Sequence, residues 1–353
     1  MFGISVFLSE PITNETKEYI KLAKHMGVNG IFSSIHIPEN DSKLYKERLK
    51  SLANISKDLG LNLMIDISKD ALEKAGFSFE NLSELKNIGV TGLRMDYGIS
   101  SEIISKSSKE MTIALNASTL TKNFIDELKY YKADFSAFEM WHNYYPREDT
   151  GLDNEFFFKT NKFLKSEGFK IVAFVPGDKI LRAPIFKGLP TLEEHRQNTT
   201  YFSFIDMATN YLVDSVYIGD PEISLETFKK INEWINTKTI SLNCSVIEND
   251  NEIKNFVMCS HKNRPDFSKK VIRSANARFL KIPFIKPKNN IERKMGSITI
   301  DNASYGRYMG EVQICKENLP SDTRVNVVAN VIEEDIPLLS LIKSNTKYKL
   351  NEV

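Results

Sequence analysis

Eight short apolar runs in the first two-thirds of the 353-residue chain constrain its fold more than any other feature. They are GISVFLS (3–9), GIFSSIHI (30–37), LNLMIDIS (61–68), GLRMDYG (92–98), TIALNAS (112–118), DFSAFEMW (134–141), KIVAFVPG (170–177) and DSVYIGD (214–220). Most are continuous rather than alternating, as in strands covered on both faces. The stretches between them are longer and amphipathic. TNETKEYIKLAKHMG sets Tyr19, Ile20, Leu22, Ala23 and Met26 at helical spacing and stops at Gly27. SKLYKERLKSLANISKDLG stops at Gly60 and NEFFFKTNKFLKSEG at Gly168. A Gly-Val-x-Gly turn leads into a strand twice, in MGVNGIFSS (26–34) and IGVTGLRMD (88–96). Eight strand–helix units in residues 1–237 predict a (β/α)₈ barrel. A doubly wound sheet is the alternative, but SEPIT after the first run is no glycine-rich phosphate turn.

The pattern changes after Trp234. SLNCSVI, NFVMC, SITID, GEVQIC and TRVNVVANVI alternate, with turn formers at 249–251, 286–290 and 320–322. Residues 238–353 therefore read as a second, all-β domain, a small barrel or sandwich. The net charge of +1 points to no nucleic-acid partner. Cys244, Cys259 and Cys315 are far apart, odd in number and free of CxxC spacing, which argues against a disulfide framework or a zinc site. MFGISVFLSEPIT lacks the basic flank of a signal peptide, and no run reaches membrane-spanning length. The expectation is a cytoplasmic protein with no membrane partner; no pattern speaks to oligomeric state.

A (β/α)₈ barrel builds its active site at the C-terminal ends of its strands. Those ends carry Ser9-Glu10, Ser34 with His36, Asp66, Asp96-Tyr97, Asn116, Glu139 with His142-Asn143, Pro176-Gly177 with Arg182 beyond, and Asp220. Asp and Glu are seldom buried without a partner, so this many carboxylates need a reason. Glu10 and Asp220 each precede a proline and fit a helix N-cap about as well as a catalytic role. Asp66 and Asp96 directly end apolar runs, LMID and LRMD, and the pattern directs both into the mouth.

Convergent carboxylates suit glycoside hydrolysis, with one acid on the leaving oxygen and a second carboxylate as base or nucleophile. They also suit a metal site, but no HxH or HExxH motif is present, and no metal is expected. The stretch EMWHNYYPREDTGL (139–152) offers Trp141, Tyr144 and Tyr145 as faces and Asn143 and Arg147 as donors, a combination suited to sugars. The long excursion GDKILRAPIFKGLPTLEEHR (177–196) opens a helix expected to run to about Tyr211. Its Arg182 and Arg196, with Arg147, form a candidate pocket for a phosphate or carboxylate. In the second domain, VIRSANAR (271–278) and DNASYGRYMGE (301–311) gather Arg273, Arg278, Asn302, Tyr305 and Arg307, a set that could complete a substrate site.

Taken in order, GISVFLSE, MIDIS, GLRMDYG, IALNAST, WHNYYPREDTGL, GLPTLEEHR and DNASYGRYMGE resemble a bacterial family of 6-phospho-N-acetylmuramidases. The resemblance covers nearly the whole chain and implies a (β/α)₈ barrel followed by a cyclophilin-like β-barrel. It implies a cytoplasmic hydrolase of peptidoglycan recycling; a glycosidase of this kind is expected to need no cofactor. The substrate would be the phosphorylated muramyl disaccharide N-acetylmuramic acid 6-phosphate–N-acetylglucosamine, cleaved at its β-1,4 bond. Carried over by motif are Glu10, Asp66, Asp96, Asn116, His142, Asn143, Tyr145, Arg147, Thr191, Glu193, His195 and Arg196. The expected acid/base pair is Asp96 with Glu10 or Asp66; the remainder, with Arg273, Asn302 and Arg307, are expected to hold substrate. Two other readings stay open: a metal-dependent sugar-phosphate isomerase or aldolase, and a sugar-phosphate binding protein without catalysis.

Overall fold

The structure, a computed structural model, describes residues 1–34, 42–95 and 98–353. The chain divides into two compact units, Met1–Lys229 and Lys230–Val353. In the first, eight parallel strands close into a barrel in sequence order: β1 Phe2–Ser5, β2 Gly30–Ser34, β3 Asn62–Ile67, β4 Gly92–Met95, β5 Thr112–Asn116, β6 Phe138–Trp141, β7 Lys170–Val175 and β8 Ser215–Ile218. Each of the eight apolar runs contributes one strand. Around them stand α1 Asn14–His25, α2 Ser42–Asp58, α3 Lys69–Lys74, α4 Leu82–Ile88, α5 Ser101–Ser108, α6 Lys122–Tyr130, α7 Asn154–Ser166 and α8 Thr200–Asn210, and α9 Leu225–Thr237 runs across the division between the units.

Local chemistry sets the helix ends. Thr13, Ser68, Ser100, Thr121, Asp153 and Thr199 each accept a backbone N–H from the first turn of their helix. Gly27 follows α1 at a φ of 91°, where a side chain would be strained. The helix expected from Pro190 to Tyr211 is broken. A 3₁₀ turn covers Glu193–Gln197, and α8 starts afresh at its own cap, Thr199, whose hydroxyl accepts the Phe202 N–H.

Side chains alternate across each strand, so one residue in two faces the barrel axis. Phe32, Met64, Ala114, Trp141, Val172, Phe174 and Tyr217 pack together there, with Tyr144 against them. Small residues make room for the large ones. A Cβ on Gly3 would lie 2.1 Å from the Tyr217 ring, and one on Gly30 2.1 Å from the Tyr217 hydroxyl. Glycine at both positions lets Tyr217 lie inside the barrel.

The second unit is a seven-stranded sheet in the order β10-β15-β9-β14-β12-β13-β11. Its strands are β9 Thr239–Val246, β10 Ser260–Lys262, β11 Val271–Arg273, β12 Ser297–Asp301, β13 Val312–Cys315, β14 Val325–Val331 and β15 Lys347–Glu352, with α10 Asn251–Val257 after β9. It is not wholly antiparallel, since β15 runs parallel to β9. An isolated bridge between Asn263 and Ser274 links the two edge strands and curls the sheet on itself.

Candidate active site

The C-terminal ends of β2, β3 and β4 supply a buried ion pair. Ser34 is in register with Asp66, and Asp66 with Arg94, so the three side chains adjoin on the inner face. Arg94 donates from Nη1 to Asp66 Oδ1 at 2.6 Å, and Ser34 donates from Oγ to Asp66 Oδ2 at 3.2 Å. Arg94 Nη2 bonds Asn143 Oδ1. The side chains of Arg94 and Asp66 are 7% and 15% exposed, so the pair is nearly dry. Arg94 was not among the candidates read from the sequence. LRMD did hold the signal: an arginine inside an apolar run demands a partner.

Beneath this network lies an aromatic floor. Phe32 stacks on Trp141 with ring centroids 5.6 Å apart, and Trp141 meets Tyr217 at 4.7 Å. Trp141 is fully buried, so it supports the mouth from below and offers no face to a sugar. Tyr144 sits edge-on against Phe174, at 5.2 Å. Glu139 does not end its strand. It pairs in register with Ala114 while Trp141 pairs with Asn116, which sets it one inward step lower. There it accepts the Trp141 indole N–H at 2.9 Å.

The loops after β6 and β7 are stitched to each other. Tyr145 N–H donates to Pro190 O, Thr191 Oγ to Asn143 O, and Thr191 Oγ accepts the Phe174 N–H. Arg196 is the largest staple. It donates to both oxygens of Glu193 and to the carbonyls of Lys187, Gly188, Tyr145 and Arg147. Glu193 also accepts N–H groups of Asp149 and Gly151. The Arg196 bond, above all, brings its carboxyl down to about 2. Asp220 is wholly buried and accepts the N–H groups of Gly177, Arg182 and Leu189, pinning the β7 excursion at three points. Burial nevertheless pushes its carboxyl above the ordinary value.

Several expected substrate holders have their polar groups engaged within the protein. His142 lies between inward-facing Trp141 and Asn143 and points outward against Phe157 of α7. Asn161 donates from Nδ2 to Tyr211 O, so its Oδ1 accepts the His142 Nε2–H at 2.7 Å. Nδ1 then accepts from Ser118 Oγ at 3.1 Å, leaving no open ring nitrogen. Burial lowers this imidazole to about 4, so it is neutral. His195 is buried with Nε2 2.8 Å from Asp206 of α8. Thr191, Glu193 and Arg196 are committed as described.

Other candidates stay accessible. Asn116 is half-buried at the end of β5, its Oδ1 accepting the Ser118 N–H. Asn143 and Tyr145 are half-buried, and Arg147 and Glu10 are exposed. Asp96, Tyr97 and His36 lie outside the described residues. In the second unit, Arg273 forms a two-bond pair with buried Glu311, and Asn302 is a buried turn post held to Thr323 O and Asn326. Arg307 is exposed over the Tyr308 ring. Among the described residues no cluster of three or more His, Cys, Asp or Glu is disposed to hold a metal.

Residues 2–233 match the N-terminal 6-phospho-N-acetylmuramidase family and residues 240–351 the C-terminal one. Among solved structures, a conserved protein of unknown function from a locus in Enterococcus faecalis shares 44% identity, over 100% of this chain and 96% of that one, with a TM-score of 0.91. An uncharacterized B. cereus protein shares 25% identity over 99% of both chains, with a TM-score of 0.81. No curated protein matches the sequence. The two matched segments together span nearly the whole chain, which belongs to the 6-phospho-N-acetylmuramidase family and is a glycosidase.

Proposed function

We propose that the enzyme hydrolyses the β-1,4 bond of N-acetylmuramic acid 6-phosphate–N-acetylglucosamine in the cytoplasm, as a step of peptidoglycan recycling, with side-chain carboxylates as acid and base. Family membership supports a phosphorylated muramyl substrate. The observation that carries the chemistry is Asp66, a carboxylate at the end of an inner barrel strand, fixed by Arg94 and Ser34 at the mouth. Glycosidases need such a group on a rigid element, because their oxocarbenium-like transition state is stabilised by a precisely held carboxylate. Asp66 already accepts hydrogen bonds on both oxygens, so it suits the base or nucleophile. The proton for the leaving oxygen then falls to Asp96 or Glu10. Asn116, Asn143 and Tyr145 would bind sugar hydroxyls from the neighbouring strand ends.

Asp96→Asn tests the pairing on the phosphorylated disaccharide. Loss of general acid–base catalysis lowers kcat by about 10²–10⁴-fold. Turnover within a few-fold of the native enzyme would remove Asp96 from the pair and leave Glu10 as the partner of Asp66.

A further inference from the structure

The cations of the β6 and β7 loops are mostly neutralised. Arg196 is paired with Glu193, Lys179 with Glu222 and Lys187 with Glu148, while Arg94 beside them is paired with Asp66. Among the described residues of these loops, Arg147 and Arg182 have no carboxylate partner for the guanidinium. Arg147 is an exposed loop side chain. Arg182 is seated. Its guanidinium lies 4.1 Å from the centroid of the Phe7 ring, and Nη1 donates to the Tyr144 hydroxyl at 2.6 Å. Its backbone N–H is fixed to Asp220 Oδ1 at 3.0 Å. Tyr144 in turn rests on Phe32 and Phe174 of the aromatic floor.

We infer that Arg182 is the anchor for the substrate's 6-phosphate, a specificity residue that rests on the muramidase reading above. A guanidinium packed over one ring and bonded to one hydroxyl has lost much of its freedom already, and its remaining N–H groups can match phosphate oxygens. A positive charge this well held, with no ion-pair partner among the described residues and its nearest acid, Asp220, already taken up by three backbone N–H groups, is completed by an anionic ligand. Its place in the loop after β7 favours phosphate over the lactyl carboxylate, because (β/α)₈ barrels frequently bind phosphate with the loops after strands 7 and 8. Asp220 fixes the backbone of Arg182, and Phe7 and the Tyr144 hydroxyl hold its guanidinium.

The test compares kcat/KM on the phosphorylated disaccharide with that on the same disaccharide lacking phosphate. In Arg182→Gln the preference for phosphate falls by about 30-fold or more, the worth of one or two charge-assisted bonds, and the loss appears in KM. Arg182→Lys keeps the charge but not the fork, and recovers part of the preference. A guanidinium that only covers Phe7 and Tyr144 would lower both substrates in parallel and leave the ratio unmoved, which overturns the assignment. A third substrate, phosphorylated but lacking the lactyl ether, separates the anions. An Arg182 effect that vanishes on it would reassign the residue to the carboxylate. If the native enzyme cleaves neither disaccharide, the muramidase reading fails by itself. Calorimetric binding of N-acetylmuramic acid 6-phosphate to native and Arg182→Lys protein then still decides the anchor, with unchanged affinity counting against it.

Discussion

His142 makes the barrel sensitive to acid, and the size of the effect follows from its surroundings. Its ring is fully buried, and burial brings it from the ordinary 6.5 to about 4. In the unfolded chain it returns to the ordinary value. Between those values the unfolded state binds a proton that the folded state refuses, so stability falls as pH drops through 6.5 and levels off below 4. The cost is about 2 kcal/mol at pH 5 and about 3 kcal/mol at pH 4, relative to neutral pH. His142→Gln removes the titration while keeping a donor for Asn161 and an acceptor for Ser118. Whatever the glutamine costs in fit is the same at every pH, so only the slope matters. Urea unfolding at pH 7 and pH 5 reads it, followed by the fluorescence of Trp141 in a Trp234→Phe background. The stability of the native-histidine protein should fall by about 2 kcal/mol more than that of the variant over this range. Parallel pH dependence in the two proteins would refute a neutral, buried His142.

Two further perturbations probe the scaffold. Gly30→Ala places a Cβ 2.1 Å from the Tyr217 hydroxyl but 3.1 Å from the carbon that bears it. Overpacking of that kind costs about 1–3 kcal/mol, and Tyr217→Phe should relieve much of it; additive effects in a thermal-unfolding double-mutant cycle would contradict the packing described. Asp220→Asn puts an amide N–H₂ against at least one of the backbone N–H groups of Gly177, Arg182 and Leu189. Expected are a loss of about 2–3 kcal/mol and faster proteolytic cleavage within residues 177–189; unchanged cleavage would show that Asp220 does not pin the excursion.

The barrel was readable because most of its strands are continuous apolar runs and six of the helices between them start at caps that obey local rules. The place of Asp66 near the end of its strand was readable because it directly ends such a run. Arg94 was not, because its reason for being inside a strand is Asp66 on the neighbouring strand, a contact that no single stretch of sequence displays. The internal partners of the loop residues were hidden for a different physical reason. His142, Thr191, Glu193 and Arg196 are polar, clustered and conspicuous, as substrate-binding groups are. Long loops also have backbone carbonyls and N–H groups that no ladder satisfies, and a buried loop must find them partners. Arg196 meets four such carbonyls and Glu193 two such N–H groups. Trp141 misled through parity: it ends its strand, but on the inner face, where it packs on Phe32 and Tyr217. Asp220 could be read equally as a cap or a catalyst, and it holds three backbone N–H groups of the β7 excursion.

The most direct measurement is the release of N-acetylglucosamine from N-acetylmuramic acid 6-phosphate–N-acetylglucosamine by native enzyme and by Asp66→Asn, followed chromatographically. The amide keeps the shape of the side chain and its place beside Arg94 but cannot act as base or nucleophile. Release by the native enzyme and a fall in kcat of about 10²–10⁴-fold in the variant are the expected results. Release by Asp66→Asn at a rate close to native would contradict a catalytic carboxylate at the end of β3.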